Sequence, residues 1–179
     1  MLEFDERGLL PPKDYPLTLE EIKESILVVG PPGVENWDKQ WRRKLVENLK
    51  IMVEQLWAVG ITEIFINGSF VEMKLHPNDI DGYFVTDVVS FATGDLQRKL
   101  NKLEPDKIWT WDPASRKPYR GFDKKQLPMW HKYRVELYPH FENLMSGIKD
   151  KHGNELQFPA AFRIQRHTYE PKGIIKVIR

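Results

Sequence analysis

Ile61-Thr62-Glu63-Ile64-Phe65-Ile66-Asn67-Gly68-Ser69-Phe70, followed by Pro77-Asn78-Asp79-Ile80-Asp81-Gly82-Tyr83-Phe84-Val85, is the stretch on which the reading of the fold turns. Its first half is a β-branched and aromatic run closed by Asn67-Gly68, the pattern of a core strand that feeds a turn. Residues 80–85 read as a second strand. Side chains on a strand alternate between its faces, so Asp79 and Asp81 project to one side while Ile80 is buried on the other.

Upstream of these strands lies the most regular pattern in the chain. Trp41, Leu45, Leu49, Met52, Val53 and Leu56 recur at three- and four-residue spacing between Asp38 and Gly60, which predicts an amphipathic helix with a cap at its start and a glycine past its end. Before it, Leu9-Leu10-Pro11-Pro12 reads as an extended arm, because proline restricts itself and the residue before it. Thr18 with Glu21 forms a capping box that opens a short helix to about Leu27. Downstream, Gly94 to Leu103 reads as a helix, 107–111 as a strand by propensity, 112–128 as a loop, and 133–138 as a half-buried strand stopped by Pro139. Ile174 to Ile178 closes the chain as an apolar run. Helices and strands mix without strict βαβ alternation, so the fold class is α+β with a mixed sheet. Residues 1–35 read as an N-terminal arm and short helix packed on a domain of 36–179, the whole forming one domain.

Composition narrows the function. Of 179 residues 41% are apolar and none is cysteine, which permits an ordinary core and excludes a disulfide framework, a thiolate zinc site and a cysteine nucleophile. No apolar run approaches a membrane span, and Glu3, Asp5 and Glu6 give the N-terminus the wrong charge for a signal peptide, so no membrane association and a cytoplasmic location are expected. A formal charge of +1 excludes a whole-molecule attraction to nucleic acid. The basic residues are nevertheless concentrated: residues 112–134 hold seven Lys and Arg against two Asp. That stretch reads as a solvated surface segment or as an electrostatic guide for an RNA-like or nucleotide acceptor.

Two carboxylates on one patch repel each other unless a cation neutralises them. Asp79 and Asp81 therefore suit Mg²⁺, which takes one or two protein carboxylates together with substrate phosphate oxygens. Gly68-Ser69 follows a core strand, where a glycine admits close backbone approach and N–H groups with a hydroxyl can hold phosphate oxygens. Arg134, Glu136 and Tyr138 would share one face of the predicted strand, and an acid there needs a partner, which an ion pair with Arg134 or a neighbouring Lys would supply. Arg42-Arg43 reads as a helix-surface pair. Trp109, Trp111 and Trp130 read as core, and His76 and His131 lack zinc-ligand spacing. No nucleophile elbow, phosphate loop, His-Glu-x-x-His or dinucleotide fingerprint occurs.

A hydrophobic strand ending in Gly68-Ser69, nine residues, and Asp79-Ile80-Asp81 opening the next strand together resemble the signature of the polymerase-β-like nucleotidyltransferase superfamily. The chain is also similar to a family of small, little-characterised bacterial nucleotidyltransferase-like proteins. The likeness covers Leu10-Pro11-Pro12 with Thr18 and Glu21, Arg42-Arg43, Gly68 to Val71, Lys74, Lys132-Tyr133, Glu136 to Pro139 and Pro171 to Ile174. The resemblance implies a nucleotidyltransferase-like mixed β-sheet flanked by helices, with divalent metal (Mg²⁺ or Mn²⁺) held by Asp79, Asp81 and a third acid, for which Glu136 is the candidate. Glutamate there departs from the superfamily's usual aspartate. It further implies that Gly68 and Ser69 grip the β- and γ-phosphates of a nucleoside triphosphate and that Lys74 or Lys172 neutralises the leaving group. A nucleoside monophosphate would pass to an acceptor (RNA, protein or small molecule) with release of pyrophosphate. The alternative is a binding module that kept the fold and lost turnover, an antitoxin-like or regulatory partner of another protein.

Overall fold

In the computed structural model, which describes residues 2–179, β1 (Asp14–Thr18) runs directly into α1 (Leu19–Glu24) through the capping box at Thr18. The Thr18 hydroxyl accepts from the Glu21 N–H, and the Glu21 carboxylate accepts from the Thr18 N–H. Ser25 then ends α1 and caps α2 (Ile26–Val29) with its own hydroxyl, so the short helix expected to reach Leu27 is two separate turns. α3 (Lys39–Ala58) begins at Asp38, whose carboxylate accepts from the Trp41 N–H at 2.9 Å. Its stripe of Leu45, Leu49, Met52, Val53 and Leu56 has no solvent exposure.

The remaining elements are β2 (Ile64–Asn67), a 3₁₀ turn over Gly68–Val71, β3 (Ile80–Val85), α4 (Val88–Ala92), α5 (Asp95–Leu103), a 3₁₀ turn over Pro113–Ser115, β4 (Lys117–Tyr119) and β5 (Phe122–Gln126). After them come α6 (Pro128–Tyr133), β6 (Val135–His140), β7 (Met145–Lys149), β8 (Glu155–Gln157), α7 (Phe158–Ala161) and β9 (Ile174–Ile178). Five strands form the central sheet in the order β1-β9-β2-β3-β6. β1 is parallel to β9 and β3 to β6, while β9 with β2 and β2 with β3 are antiparallel, so the α+β class with a mixed sheet holds. The N-terminal segment contributes to this sheet through β1, which forms one of its edges.

Three expectations are corrected. Residues 107–111 are no strand: Asn101 accepts from the Trp109 N–H and donates to the Trp109 carbonyl, so a side chain takes the place of a strand partner. The supposed loop of 112–128 contains the hairpin β4–β5, paired from Lys117↔Gln126 to Tyr119↔Phe122. Pro139 lies within β6 opposite Phe84. β6 is an edge strand, where proline's missing donor leaves no ladder bond unmade. Pro16 sits likewise on the other edge, in β1.

The two faces of the sheet carry different cargo. Ile64, Ile66, Ile80, Phe84, Val135, Leu137, Ile175 and Val177 pack with the α3 stripe into the main core. At about 1.5–3 kcal/mol for each fully buried large apolar side chain, this face holds the domain together. The opposite face carries a smaller cluster of Phe65, Tyr83, Phe158, Phe162 and Ile174, with Tyr138 against it. Among the described residues no helix is long and apolar enough to cross a membrane.

Candidate functional site

Beyond that smaller cluster, the second face ends in a polar row. Asn67 of β2 pairs with Asp81 of β3, and Asp81 pairs with Glu136 of β6, at the ~4.8 Å spacing of adjacent strands. Asp79 precedes β3 by one residue. With Ile80 fully buried in the main core, both aspartates are half-buried on the second face, as alternation requires. Gly82 completes Asp-Ile-Asp-Gly for a packing reason: a Cβ there would stand 2.3 Å from the Phe65 carbonyl oxygen.

The three acids differ in what answers their charge. Asp79 accepts from the Trp130 indole N–H at 2.7 Å. Glu136, buried, accepts from the Leu127 N–H at 3.1 Å and from the Tyr138 hydroxyl, and lies 3.5 Å from the Arg116 guanidinium, which donates in turn to the Tyr138 oxygen at 3.0 Å. Its ion-pair partner is therefore Arg116. Arg134 stands outside β6 in the left-handed region (φ 55°), with its guanidinium 3.9 Å from the Trp130 ring centre. Asp81 receives no hydrogen bond from the described residues. Its carboxyl pKa is pushed well above the usual range by burial first, then by Asp79 and Glu136, against the pull of Lys172 and Arg166. Burial also raises Asp79, with Glu136 adding to it and the Trp130 indole opposing. Among the described residues no three His, Cys, Asp or Glu side chains are arranged around one ion position.

Gly68 faces this row from the strand end. Its φ of +73° is open to glycine, and a Cβ would meet Asp81 Oδ2 at 2.6 Å. Ser69, half-buried, is the second residue of the 3₁₀ turn, whose first N–H groups have no side-chain cap. Lys172 is 4% exposed, bonds the Glu72 carboxylate, and lies 3.4 Å from the Gly68 carbonyl. Burial draws its ammonium pKa down while Glu72 and Asp81 draw it up. Lys74 is exposed, with its charge in reach of Asp79. Asp79, Asp81, Glu136, Gly68, Ser69 and Lys172 thus gather at one end of β2, β3 and β6, and Lys74 stands at the rim.

Several positioning residues escape a reading of the sequence. Arg42 is fully buried instead of lying on a helix surface: its guanidinium donates to the carbonyls of Leu27 (2.7 Å), Phe70 (2.8 Å), Glu72 (3.3 Å) and Lys74, and lies 3.9 Å from the Trp37 ring centre. It clamps the chain that leaves Gly68-Ser69. The Trp41 indole donates to the Pro77 carbonyl at 2.6 Å and so fixes the approach to Asp79. Asn67, also fully buried, donates to the carbonyls of Phe162 and Gly173, pinning both stems of the loop that carries Arg166 and Lys172. The helix stripe includes Trp41 without showing where its indole N–H goes, and an isolated Arg or Asn has no periodicity to betray such a role; for Asn67 only its place at the strand end hinted at it.

Residues 2–178 match the model of DUF6932, a family of unknown function. Neither a curated protein nor a solved structure matches the chain.

Proposed function

Because the chain belongs to DUF6932, a family without an assigned activity, we propose a function from the site alone: a Mg²⁺-dependent nucleotidyltransferase of polymerase-β-like type, moving a nucleoside monophosphate from a triphosphate to an acceptor. The observation that carries this reading is Asp81. A half-buried carboxylate flanked by Asp79 and Glu136, with no hydrogen-bond donor among the described residues, calls for a cation when it ionises.

Asp79 and Asp81 would hold the metal, and the donor set fits Mg²⁺, a hard cation that accepts two carboxylates and fills its remaining positions with water and phosphate oxygens. When bound, the ion supplies charge neutralisation on the phosphates and a lowered pKa for the acceptor hydroxyl. The chain's own groups do the rest. Gly68, lacking a side chain, leaves the phosphates room beside Asp81, and Ser69 offers a hydroxyl. Lys172, held by Glu72 next to the Gly68 carbonyl, sets a fixed positive charge where a leaving pyrophosphate needs one, and Lys74 adds another at the rim. Trp130 orients Asp79 through its indole N–H. Glu136 joins the metal only by giving up Leu127, Tyr138 and Arg116; in its present contacts it raises the negative potential at Asp81.

The test is transfer of α-labelled nucleotides, all four in turn, to the protein itself and to RNA and protein fractions of a cell extract, with Mg²⁺ or Mn²⁺. Label that depends on metal and falls about a hundredfold or more in Asp81→Asn is expected, as for loss of a group serving the transition state. Full activity in that variant would remove the metal assignment. The engagement of Glu136 by three protein groups favours a second reading, a nucleotide- or partner-binding module without turnover. Nucleotide binding without transfer in any fraction would select it.

A further inference from the structure

The hairpin β4–β5 carries a charge that the rest of the domain does not answer. Lys117, Arg120, Lys124 and Lys125 are all exposed, against the single carboxylate of Asp123, in a chain whose formal charge is only +1. None of these four cations forms an ion pair among the described residues, whereas the other bases of the same stretch are engaged. Arg116 faces Glu136, Lys132 bonds Glu104 and Asp106, and Arg134 lies over Trp130. Four like charges on a small hairpin repel one another, so packing does not explain them.

Aromatic surface lies among them. Tyr119 is 41% exposed, with the Arg134 guanidinium 4.2 Å from its ring centre and Phe122 at 5.6 Å. Cations interleaved with an open aromatic ring make a surface on which bases stack while phosphates are neutralised. The hairpin is also joined to the acids. The Trp130 ring meets Phe122 edge-on at 4.9 Å and Tyr119 at 5.2 Å, and the same Trp130 donates to Asp79. Arg116 donates to the Lys125 carbonyl at 3.1 Å and to Tyr138 beside Glu136. His131 contacts the Lys117 carbonyl at 3.1 Å.

We infer that the β4–β5 hairpin is the landing surface for a single-stranded nucleic acid, which it delivers to the Asp79–Asp81 site as the acceptor. The inference that this strand is the acceptor rests on the proposed nucleotidyl transfer; binding of the strand does not. Neutralising four phosphates gives a log–log salt slope of about −3, at roughly 0.7 per phosphate on single strands.

The experiment is fluorescence anisotropy of labelled 20-nucleotide RNA and DNA single strands with the full chain, across a salt series. Wild type should bind with the slope above. Arg120→Glu/Lys124→Glu should weaken binding at least tenfold and flatten the slope by more than one. Tyr119→Ala should weaken it about tenfold at unchanged slope, since stacking releases no counterions. Thermal melts identify any variant that has unfolded, and Lys149→Glu, on β7 outside the hairpin, should bind as wild type. The RNA and DNA arms decide which strand is preferred. Failure of wild type to bind either strand at low salt, equal binding by the double variant, or tighter binding of a polyglutamate peptide would overturn the inference. Mg²⁺-dependent nucleotide binding, measured separately, tells the two readings apart: if it persists while strand binding fails, the hairpin inference falls and the proposed transfer stands.

Discussion

The two faces of the central sheet show how one strand serves two ends. On the α3 side, β3 presents Ile80 and Phe84, both without exposure, to a core of largely aliphatic side chains, and the two terminal nitrogens of Arg42 donate there to four carbonyls, while its Nε has no partner among the described residues. On the other side the same strand presents Asp81, which has no hydrogen-bond donor among the described residues, between Asn67 and Glu136. The first arrangement is what stability requires; the second opposes it. A free energy of folding of about 5–15 kcal/mol leaves room for such a cluster only because the opposite face is fully packed. An unfavourable feature retained beside a strong core is where function is to be sought.

The contrast is broken most severely from the α3 side. Arg42→Met removes a buried donor shared by the carbonyls of Leu27, Phe70, Glu72 and Lys74, and breaking a buried charged network of this kind costs about 3–5 kcal/mol. We expect a denaturant midpoint lowered accordingly, and a sharp rise in hydrogen exchange over 70–74, which would locate the damage to the segment leaving Gly68-Ser69. Retained protection there would show that Arg42 does not hold that segment.

Gly68→Ala acts on the other face. The left-handed backbone and the 2.6 Å approach of its Cβ to Asp81 Oδ2 predict a loss of about 1–3 kcal/mol and of nucleotide binding together. A variant that melts as wild type would mean that the turn relaxes away from Asp81.

Asp81→Asn gives the smallest change and the opposite sign. The folded-state pKa values of Asp79 and Asp81 are raised, so between the ordinary carboxylate range and the raised values the folded chain holds more protons than the unfolded one. Stability therefore falls as pH rises through that window. Removing the charge should raise the melting temperature by about 2–4 °C at pH 7 in chelator, for ~1 kcal/mol in a domain of this size. Below the unfolded carboxylate pKa the difference should vanish. Mg²⁺ should raise the melting temperature of the wild type by mass action and leave Asp81→Asn unmoved. A destabilised Asp81→Asn at pH 7 would mean that the carboxylate is already satisfied within the protein.

Much of this was legible before any coordinates. The α3 stripe, the capping box at Thr18, the strand running into Gly68 and the opposed faces of Asp79 and Ile80 all follow from local periodicity and turn chemistry, and each stands in the structure. The misreadings share a cause. Trp109 has the propensity of a strand residue, yet its backbone is bonded by the side chain of Asn101. Pro139 breaks strands in general but not at an edge. The hairpin within 112–128 lacks apolar alternation because neither of its faces is buried, so periodicity had nothing to report.

The amino-acid sequence by itself determined α3, β2 and β3 and which side of each is apolar, because those depend on neighbours within a few residues. It also set Asp79, Asp81 and Gly68-Ser69 within one strand–turn–strand unit. Only the tertiary structure decided that β1 joins β9 at the far edge, that Arg42 clamps the Phe70 carbonyl and those after it, that Glu136 is met by Arg116 and Tyr138, and that Asp81 receives no hydrogen bond from the described residues. Those outcomes depend on pairing between segments up to 160 residues apart, as in Asp14 with Ile174. Which donor reaches which carboxylate is a matter of ångströms across the sheet, a quantity that no local pattern encodes.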